Sequence, residues 1–383
     1  MTEKPIETGS KTSTMMGTAI ILTNGSLDQT DAKTAHGLIR RTERFDLLGV
    51  IDSKCAGKDA GEVLDGIHRN IPIFATVADF LLKTGITPDF ALIGVALSGG
   101  RLNEQWQMLL LEVIGHGISI VNGLHMLLGD IPAFCEAASK NNVKIIDIRR
   151  PKPFDQLHHW CGSIFEMSIP RLAILGIDCA VGKRTTCQMI LEACRKEGIT
   201  CEMIYTGQTG WFQGNRHGFI LDATLNDFVS GELEAAIVEC EQLSSPDLIL
   251  VEGQSAMRNP VGPCGAEIIL SGNVKGVILQ HAPFRATFDT TEKYGCMLPS
   301  LEDEIKLIEM YGTKVLAVTL NGNGGTSGDL MEYAKSKQEK IGLPVICPLE
   351  EGVSDLLPVI RRFMRDFDQY TSTTLLKPEP VKG

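Results

Sequence analysis

A glycine-rich segment that directly follows an apolar run has the residue types needed to bind phosphate. The apolar residues 172–175 lead into Gly176-Ile177-Asp178-Cys179-Ala180-Val181-Gly182-Lys183-Arg184-Thr185-Thr186, after which a helical pattern begins. Glycines let backbone N–H groups turn toward an anion, the start of a helix adds positive potential, and Lys183 can neutralise phosphate charge. Thr185 or Thr186 could ligate Mg²⁺. A plain strand-to-helix turn is the alternative interpretation.

The segment differs from the common phosphate loop at two points. Five residues separate Gly176 from Gly182, one more than usual, and Arg184 occupies the usual Ser/Thr position. A second apolar run, residues 248–251, ends in Glu252. Phosphate-loop proteins keep a carboxylate at such a strand end, beside the metal or the reacting group. Any buried strand can also end in Glu, so Glu252 indicates a functional site only in combination with the glycine-rich loop upstream.

The elements that must position these residues follow an alternating pattern. From residue 17 onward, short apolar runs alternate with segments of helical period, which is typical of a parallel sheet covered by helices on both faces. Pro151 and Pro153 interrupt this pattern and predict an extended linker. We therefore predict an α/β protein with two doubly wound, mainly parallel three-layer domains. The expected boundaries are a disordered leader at 1–16, a Rossmann-like domain at 17–150, a P-loop-containing domain at 151–370 and a disordered tail at 371–383.

Composition excludes several function classes. The chain of 383 residues has 47 acidic and 36 basic side chains and a net charge of −11. Its overall charge therefore provides no general electrostatic attraction to nucleic acid or anionic lipid. Its 11 cysteines form no C-x-x-C pair, which favours reduced thiols over disulfides or a metal site. No apolar run reaches the length of a membrane span. We expect a cytoplasmic homo-oligomer that acts on a small molecule, with no nucleic-acid, membrane or metal partner.

The phosphate loop and the acidic strand end together resemble one branch of P-loop proteins. The loop at 176–186, followed by Asp247-Leu248-Ile249-Leu250-Val251-Glu252-Gly253-Gln254, is similar to dethiobiotin synthetase. That branch also has the five-residue spacing and a strand ending in Val-Glu-Gly. In that branch an Asn that ends a later strand recognises the adenine of the bound nucleotide. The resemblance implies this role for Asn321. Arg184 departs from the branch at the metal-ligating position.

A second resemblance covers almost the whole chain. It rests on the loop and on the phrases KTAHGLIR at 33–40, AGKDAG at 56–61, SGGRL at 98–102 and GLH at 123–125. These are similar to a two-domain family that pairs a Rossmann-like N-terminal domain with a P-loop C-terminal domain. Some members are D-glutamate N-acetyltransferases. The resemblance implies transfer of acetyl from acetyl-CoA to D-glutamate, with the loop residues Gly176 and Asp178 to Thr186 holding the CoA phosphates.

Acetyl transfer to an amino acid requires a base, donors for the developing oxyanion and cations for the substrate carboxylates. As base we expect Glu252 first, because it ends a strand next to the loop, and His281 second, because it lies just after the apolar run 277–279. A structural histidine is the alternative interpretation of His281. Lys183 completes the predicted catalytic group. Arginine suits carboxylates because it donates two parallel hydrogen bonds. The candidate substrate-binding residues are Arg101, Gln208, Arg216, Arg258 and Arg285.

Two other hypotheses remain open at this point. The loop, Glu252 and Asn321 also fit an ATP- and Mg²⁺-dependent ligase or kinase of the dethiobiotin synthetase type. A nucleotide-sensing module without turnover is the non-enzymatic alternative. NAD binding by the first domain is not expected, because the segment after its first strand, Thr23-Asn24-Gly25-Ser26, lacks the G-x-G-x-x-G pattern and Asp52 alone is an ordinary strand-ending acid.

Overall fold

The computed structural model describes residues 15–96 and 102–371, and the predicted leader and tail lie almost entirely outside these ranges. The chain divides into two compact units. One comprises the residues up to Arg150 together with Trp211–Arg216, and the other comprises Pro151–Gly210 and the chain from His217 onward. Each unit has its own parallel sheet, so the predicted α/β fold class is confirmed.

The first unit is a six-stranded sheet with the strand order of dinucleotide-binding folds. Its strands are β1 (Gly17–Leu22), β2 (Phe45–Ile51), β3 (Ile73–Phe74), β4 (Phe90–Ile93), β5 (Ser119–Asn122) and β6 (Ile145–Asp147). Its helices are α1 (Lys33–Arg40), α2 (Ala60–Asp65), α3 (Val77–Thr84), α4 (Glu104–Gly115) and α5 (Pro132–Lys140). The order across the sheet is β3-β2-β1-β4-β5-β6. The order in which strands are added therefore reverses beside β1, as in the Rossmann fold.

Local sequence explains why these elements form. The last four residues of β1, Ala19 to Leu22, are completely buried, as expected for a strand covered on both faces. Asp59, Thr76 and Asn103 each accept a backbone N–H at a helix start, and so cap α2, α3 and α4. The strand and helix starts are thus specified by residues that lie close in sequence.

The second unit is a seven-stranded sheet. Its strands are β7 (Arg171–Gly176), β8 (Cys201–Tyr205), β9 (His217–Gly218), β10 (Leu248–Glu252), β11 (Gly276–His281), β12 (Lys314–Leu320) and β13 (Val345–Ile346). The helices that follow the linker are α6 (Lys183–Lys196), α7 (Gln208–Phe212), α8 (Asn226–Ser244), α9 (Ala266–Ser271), α10 (Leu301–Met310), α11 (Ser327–Ile341), α12 (Pro348–Glu351), α13 (Leu356–Arg365) and α14 (Phe367–Thr371). The order is β13-β12-β11-β7-β10-β8-β9, so β7 lies between β11 and β10. Ligands of open α/β sheets bind at the carboxyl ends of such central strands.

A short segment from the later part of the chain completes the core of the first unit. Phe212 is fully buried there, and its carbonyl accepts a hydrogen bond from Thr42 Oγ1 at 3.0 Å. The Arg44 guanidinium lies 4.3 Å from the centroid of the Trp211 ring, while its Nε donates to the Trp211 carbonyl at 2.6 Å. Helix α7 therefore ends in a different unit from the one in which it begins.

None of the helices in the described ranges is long and apolar enough to cross a membrane.

Candidate functional site

The loop between β7 and α6 has the backbone shape of a phosphate loop. Ala180 and Gly182 have φ values of 52° and 101°, so the chain turns through the left-handed region twice before α6 begins. Gly176 contributes in a different way: a Cβ there would lie 3.0 Å from Cδ of Lys183, so a larger residue would displace the lysine stem. The absence of a side chain at Gly176 lets the Lys183 stem cross the end of β7. These glycines position the lysine.

Asp178 holds the loop in place. Its carboxylate is completely buried and accepts hydrogen bonds from the backbone N–H of Cys179 at 2.7 Å and from Asn259 Nδ2 at 2.9 Å. Its other oxygen accepts from Arg285 Nη1 at 2.7 Å and from the backbone N–H of Asp289 at 2.8 Å. The carboxylate thereby ties the loop to the segments that follow β10 and β11.

Lys183 is buried, and no carboxylate of the described residues is in hydrogen-bond contact with it. Its ammonium donates to two neutral carbonyls, those of Asp178 at 2.6 Å and Ser255 at 2.8 Å. Burial lowers the pKa of Lys183, and the nearby acidic groups oppose this effect. Ser255 supplies its carbonyl from a left-handed backbone position with φ of 40°. A buried cation held only by carbonyls is an electrostatically favourable place for a phosphate.

Glu252 lies at the end of β10, on the strand next to β7. It is only 3% exposed, and its Oε2 accepts the backbone N–H of Thr206 at 3.1 Å. Arg184 Nη1 lies 4.0 Å from Glu252 Oε1. Burial raises the pKa of Glu252, while the positive charge of Arg184 opposes the rise. A carboxylate with a raised pKa beside a phosphate loop is suited to accept a proton.

The two threonines and Asn321 have different surroundings. Thr186 Oγ1 donates to Gln280 Oε1 at 2.6 Å inside the sheet, whereas Thr185 is half-buried in the first turn of α6. Asn321 Nδ2 donates to the Val181 carbonyl at 3.1 Å, and its Oδ1 accepts the backbone N–H of Asn323 at 2.9 Å. Both ends of the Asn321 amide are therefore engaged with backbone, and this residue buttresses the loop.

His281 ends β11 in an apolar environment. Its Nε2 is 2.8 Å from the Tyr333 hydroxyl, and the two rings stack with centroids 5.7 Å apart. Burial lowers the pKa of His281 to about 4, and the charge of Lys337 acts in the same direction. Within the described ranges, Nδ1 has no hydrogen-bond partner. Since consecutive strand residues point to opposite faces, His281 lies on the face opposite Gln280 and Thr186.

The predicted substrate-binding residues are distributed unevenly. Arg285 contacts the loop through Asp178 and the Cys179 carbonyl, both at 2.7 Å. Arg258 is bound instead to the buried Glu304, with Nη2 at 2.7 Å from Oε2. Gln208 is half-buried at the start of α7, and Arg216 is an exposed residue of the first unit. Arg101 lies outside the described residues.

Several residues of this site carry no motif that sequence reasoning could use. Asn259 is fully buried and donates both to Asp178 and toward Cys179 Sγ, 3.7 Å away. Gln280 accepts from Thr186 and Thr319. The available signal was a polar residue directly after an apolar run, as in Gln280. In the described part of the chain, no group of three or more His, Cys, Asp or Glu side chains could hold a metal ion.

Family comparisons agree with this arrangement. Residues 158–357 match the P-loop domain described as a domain of unknown function (DUF1611_C), and residues 53–151 match the Rossmann-like domain DUF1611_N. The chain belongs to the DUF1611 family. Over 90% of its length it is similar to the crystal structure of a DUF1611 family protein from Anabaena variabilis, with a TM-score of 0.81, 25% identity and 99% of that chain covered. The predicted two-domain family is confirmed.

Two relatives have names that refer to an activity. A protein from a Pseudoalteromonas species, named D-glutamate N-acetyltransferase, is 25% identical over 276 residues, which are 70% of this chain and 79% of the relative. A protein of the same name from Tritonibacter scottomollicae is 26% identical over 278 residues, 70% of this chain and 80% of the relative.

Proposed function

We propose that this protein is an N-acetyltransferase that moves an acetyl group from acetyl-CoA to the amino group of an acidic amino acid, D-glutamate. The observation that carries the proposal is the similarity, over 70% of the chain, to two proteins named D-glutamate N-acetyltransferase. The phosphate loop of the second unit supports it, because CoA contains an adenosine diphosphate. The loop then serves to hold a ligand by its phosphates.

The charges around the loop fit a diphosphate. The carboxylate of Asp178 is already shared among Arg285, Asn259 and two backbone N–H groups, so it is not available to the Lys183 ammonium. A bound diphosphate would supply the missing negative charge. Lys183, the half-buried Thr185 and the backbone around Gly182 are the groups that would hold it.

Acetyl-CoA supplies an acetyl group activated as a thioester. The chain must remove a proton from the substrate ammonium, and we assign this step to Glu252. Its raised pKa makes it a stronger base than an exposed glutamate, and the Thr206 N–H keeps one oxygen fixed so that the other faces Arg184. His281 fits less well, because a pKa of about 4 makes it a weak base and its ring packs on Tyr333.

Recognition of the substrate carboxylates follows from which arginines are engaged. Arg258 and Arg285 each neutralise a buried carboxylate, Glu304 and Asp178, so we propose that they shape the site rather than bind the substrate. Arg184 also pairs with a buried carboxylate, that of Glu252, but at 4.0 Å rather than the 2.7 Å of the other two pairs, and we propose that its guanidinium binds a substrate carboxylate beside the base. Arg101, Gln208 and Arg216 remain candidates for the second carboxylate.

The proposal is tested by release of free CoA thiol from purified protein mixed with acetyl-CoA and D-glutamate, in chelator and without ATP. L-glutamate and no acceptor are the controls. We expect thiol release that depends on D-glutamate and that Lys183→Ala strongly reduces. Lys196→Ala is the matched control, because Lys196 is an exposed lysine at the other end of α6.

A failure of this assay would distinguish the alternatives. If no thiol is released with either D-glutamate or L-glutamate, acetyl transfer to glutamate is rejected. If product then forms from a carboxylic or amino substrate only with ATP and Mg²⁺, the dethiobiotin synthetase type of chemistry is correct. Nucleotide binding without turnover under either condition would indicate a sensing module.

A further inference from the structure

Three buried polar residues form a row at the edge of the second sheet opposite the phosphate loop. Arg171 is the first residue of β7 and is completely buried, and Lys275, directly before β11, is 5% exposed. Thr313, directly before β12, is 2% exposed. The register pairs Gly276 with both Leu172 and Lys314, so Lys275 lies between Arg171 and Thr313. Register-paired residues share a face of the sheet.

Each of the three side chains has hydrogen-bonding capacity that the described residues leave unused. Arg171 Nη1 donates to the Ile169 carbonyl at 2.8 Å and Nε to the Asn273 carbonyl at 3.3 Å, but Nη2 has no partner within the described ranges. In the same ranges the Thr313 hydroxyl also has none. Among the residues that the structure describes, the Lys275 ammonium forms neither a hydrogen bond nor an ion pair. Arg171 Nη2 and Thr313 Oγ1 are completely buried, and buried polar atoms are nearly always paired in native proteins, so among the described residues these two atoms lack a partner.

The charge balance indicates what kind of partner is missing. Burial lowers the pKa of Arg171 to about 10, and only Glu241 acts in the opposite direction. Burial and the charge of Arg171 both lower the pKa of Lys275. The Phe367 ring, 5.6 Å from the guanidinium carbon of Arg171, covers that group without neutralising it. Two buried cations side by side are costly unless an anion compensates them.

We propose that Arg171 Nη2, the Lys275 ammonium and the Thr313 hydroxyl bind a small inorganic oxyanion of the phosphate class. Donors from the starts of three strands suit a tetrahedral anion with several oxygens, and two positive charges match a dianion. This site is distinct from the phosphate loop, because Arg171 and Gly176 are at opposite ends of β7. At roughly 3.3 Å per residue, the two ends are about 16 Å apart.

The test is binding of radiolabelled inorganic phosphate to the full chain by equilibrium dialysis, in buffer free of phosphate and sulfate. Measurements on the Lys183→Ala background separate this site from the phosphate loop. We expect the Lys183→Ala protein to bind one phosphate still. Adding Lys275→Met to this variant should weaken the affinity for that phosphate by at least about tenfold. Lys314→Met is the matched control: Lys314 is the adjacent, exposed lysine that pairs with Glu309 at 3.5 Å, and its loss should change nothing.

Two outcomes would overturn the proposal: loss of all phosphate binding with Lys183→Ala alone, or unchanged binding after Lys275→Met. Folding is checked by the melting temperature in phosphate-free buffer, which Lys275→Met should not lower because it removes an uncompensated charge and keeps the chain length. If that variant nevertheless unfolds, Thr313→Val decides. It keeps the shape, removes one donor, and should weaken phosphate about two- to tenfold; unchanged affinity would reject the site.

Discussion

Both units of this protein have a buried aspartate beside the central strand of a parallel sheet, but the two aspartates do different work. In the first unit, Asp52 accepts Thr23 Oγ1 at 2.7 Å and the backbone N–H groups of Leu27, Lys54 and Cys55 at 3.0 to 3.1 Å. All its partners belong to the two turns that follow β1 and β2. Asp52 thus closes local turns, and its oxygens are occupied.

In the second unit, Asp178 joins three separate segments, and the Lys183 ammonium has no bonded carboxylate among the residues that the structure describes. The loop after β1, residues 23–30, has no basic residue, and its Asp28 occupies the nearby Lys54 in an ion pair. Equivalent sheet architecture therefore does not make equivalent sites. The proposed phosphate site depends on a lysine at a helix start and on the glycines around it.

Substitution of the proposed base, Glu252, should have the largest effect on activity. Glu252→Gln should lower kcat about 10²- to 10⁴-fold, because the amide keeps the shape but cannot accept the proton. The measurement is the rate of CoA thiol release against pH. Because burial raises the pKa of Glu252, the acid limb of the wild-type profile should lie above the ordinary glutamate range, with activity rising as pH rises through the folded pKa. Retained activity with the same acid limb would assign the base elsewhere.

The next largest effect concerns ligand affinity, which should depend on a lysine of the second unit but not on a lysine of the first. Lys183→Ala should weaken acetyl-CoA or ADP about ten- to a hundredfold in calorimetry, because a charged hydrogen bond to phosphate contributes about 1.5–3 kcal/mol. Lys54→Ala removes a lysine of the first unit that pairs with Asp28 on the surface, and affinity should not change. Equal effects of the two substitutions would show that the phosphates do not bind at the loop.

The two aspartates allow a matched comparison. Asp178→Asn and Asp52→Asn should each destabilise the fold by about 1–3 kcal/mol, since each leaves buried donors without an acceptor. Only Asp178→Asn should also weaken the diphosphate ligand, because only Asp178 shapes the phosphate loop. Denaturant unfolding and calorimetry measure the two effects. A ligand effect of Asp52→Asn would bring the first unit into the binding site.

Acid sensitivity is the smallest expected difference. His281 has its folded pKa lowered to about 4, so the stability that its neutral form provides is present above its unfolded pKa and is lost as pH falls from about 6.5 toward 4. At pH 5 this loss is about 2 kcal/mol. His281→Gln should flatten the dependence of stability on pH in this window. An unchanged slope would mean that His281 is hydrated or paired in solution.

Much of the fold was open to sequence reasoning. The apolar spacing of residues 301–310 predicts a helix, and α10 has these bounds because Ser300 caps its start. The short elements β3, β9 and α9 cannot be predicted in this way, because two to six residues are too few to show a period. The transfer of Trp211–Arg216 to the first unit was also not predictable, because it depends on the burial of Phe212 among residues far away in sequence.

The sequence by itself determined the two parallel sheets, the phosphate loop and the acid that ends β10, because apolar periodicity and glycine spacing act over a few residues. The tertiary structure decided which polar groups meet. It bound Arg258 to Glu304, turned Thr186 toward Gln280, placed His281 against Tyr333 and directed the Lys183 ammonium to two backbone carbonyls. These outcomes depend on distances between strands that are remote in sequence, and so on how the sheet brings their ends together.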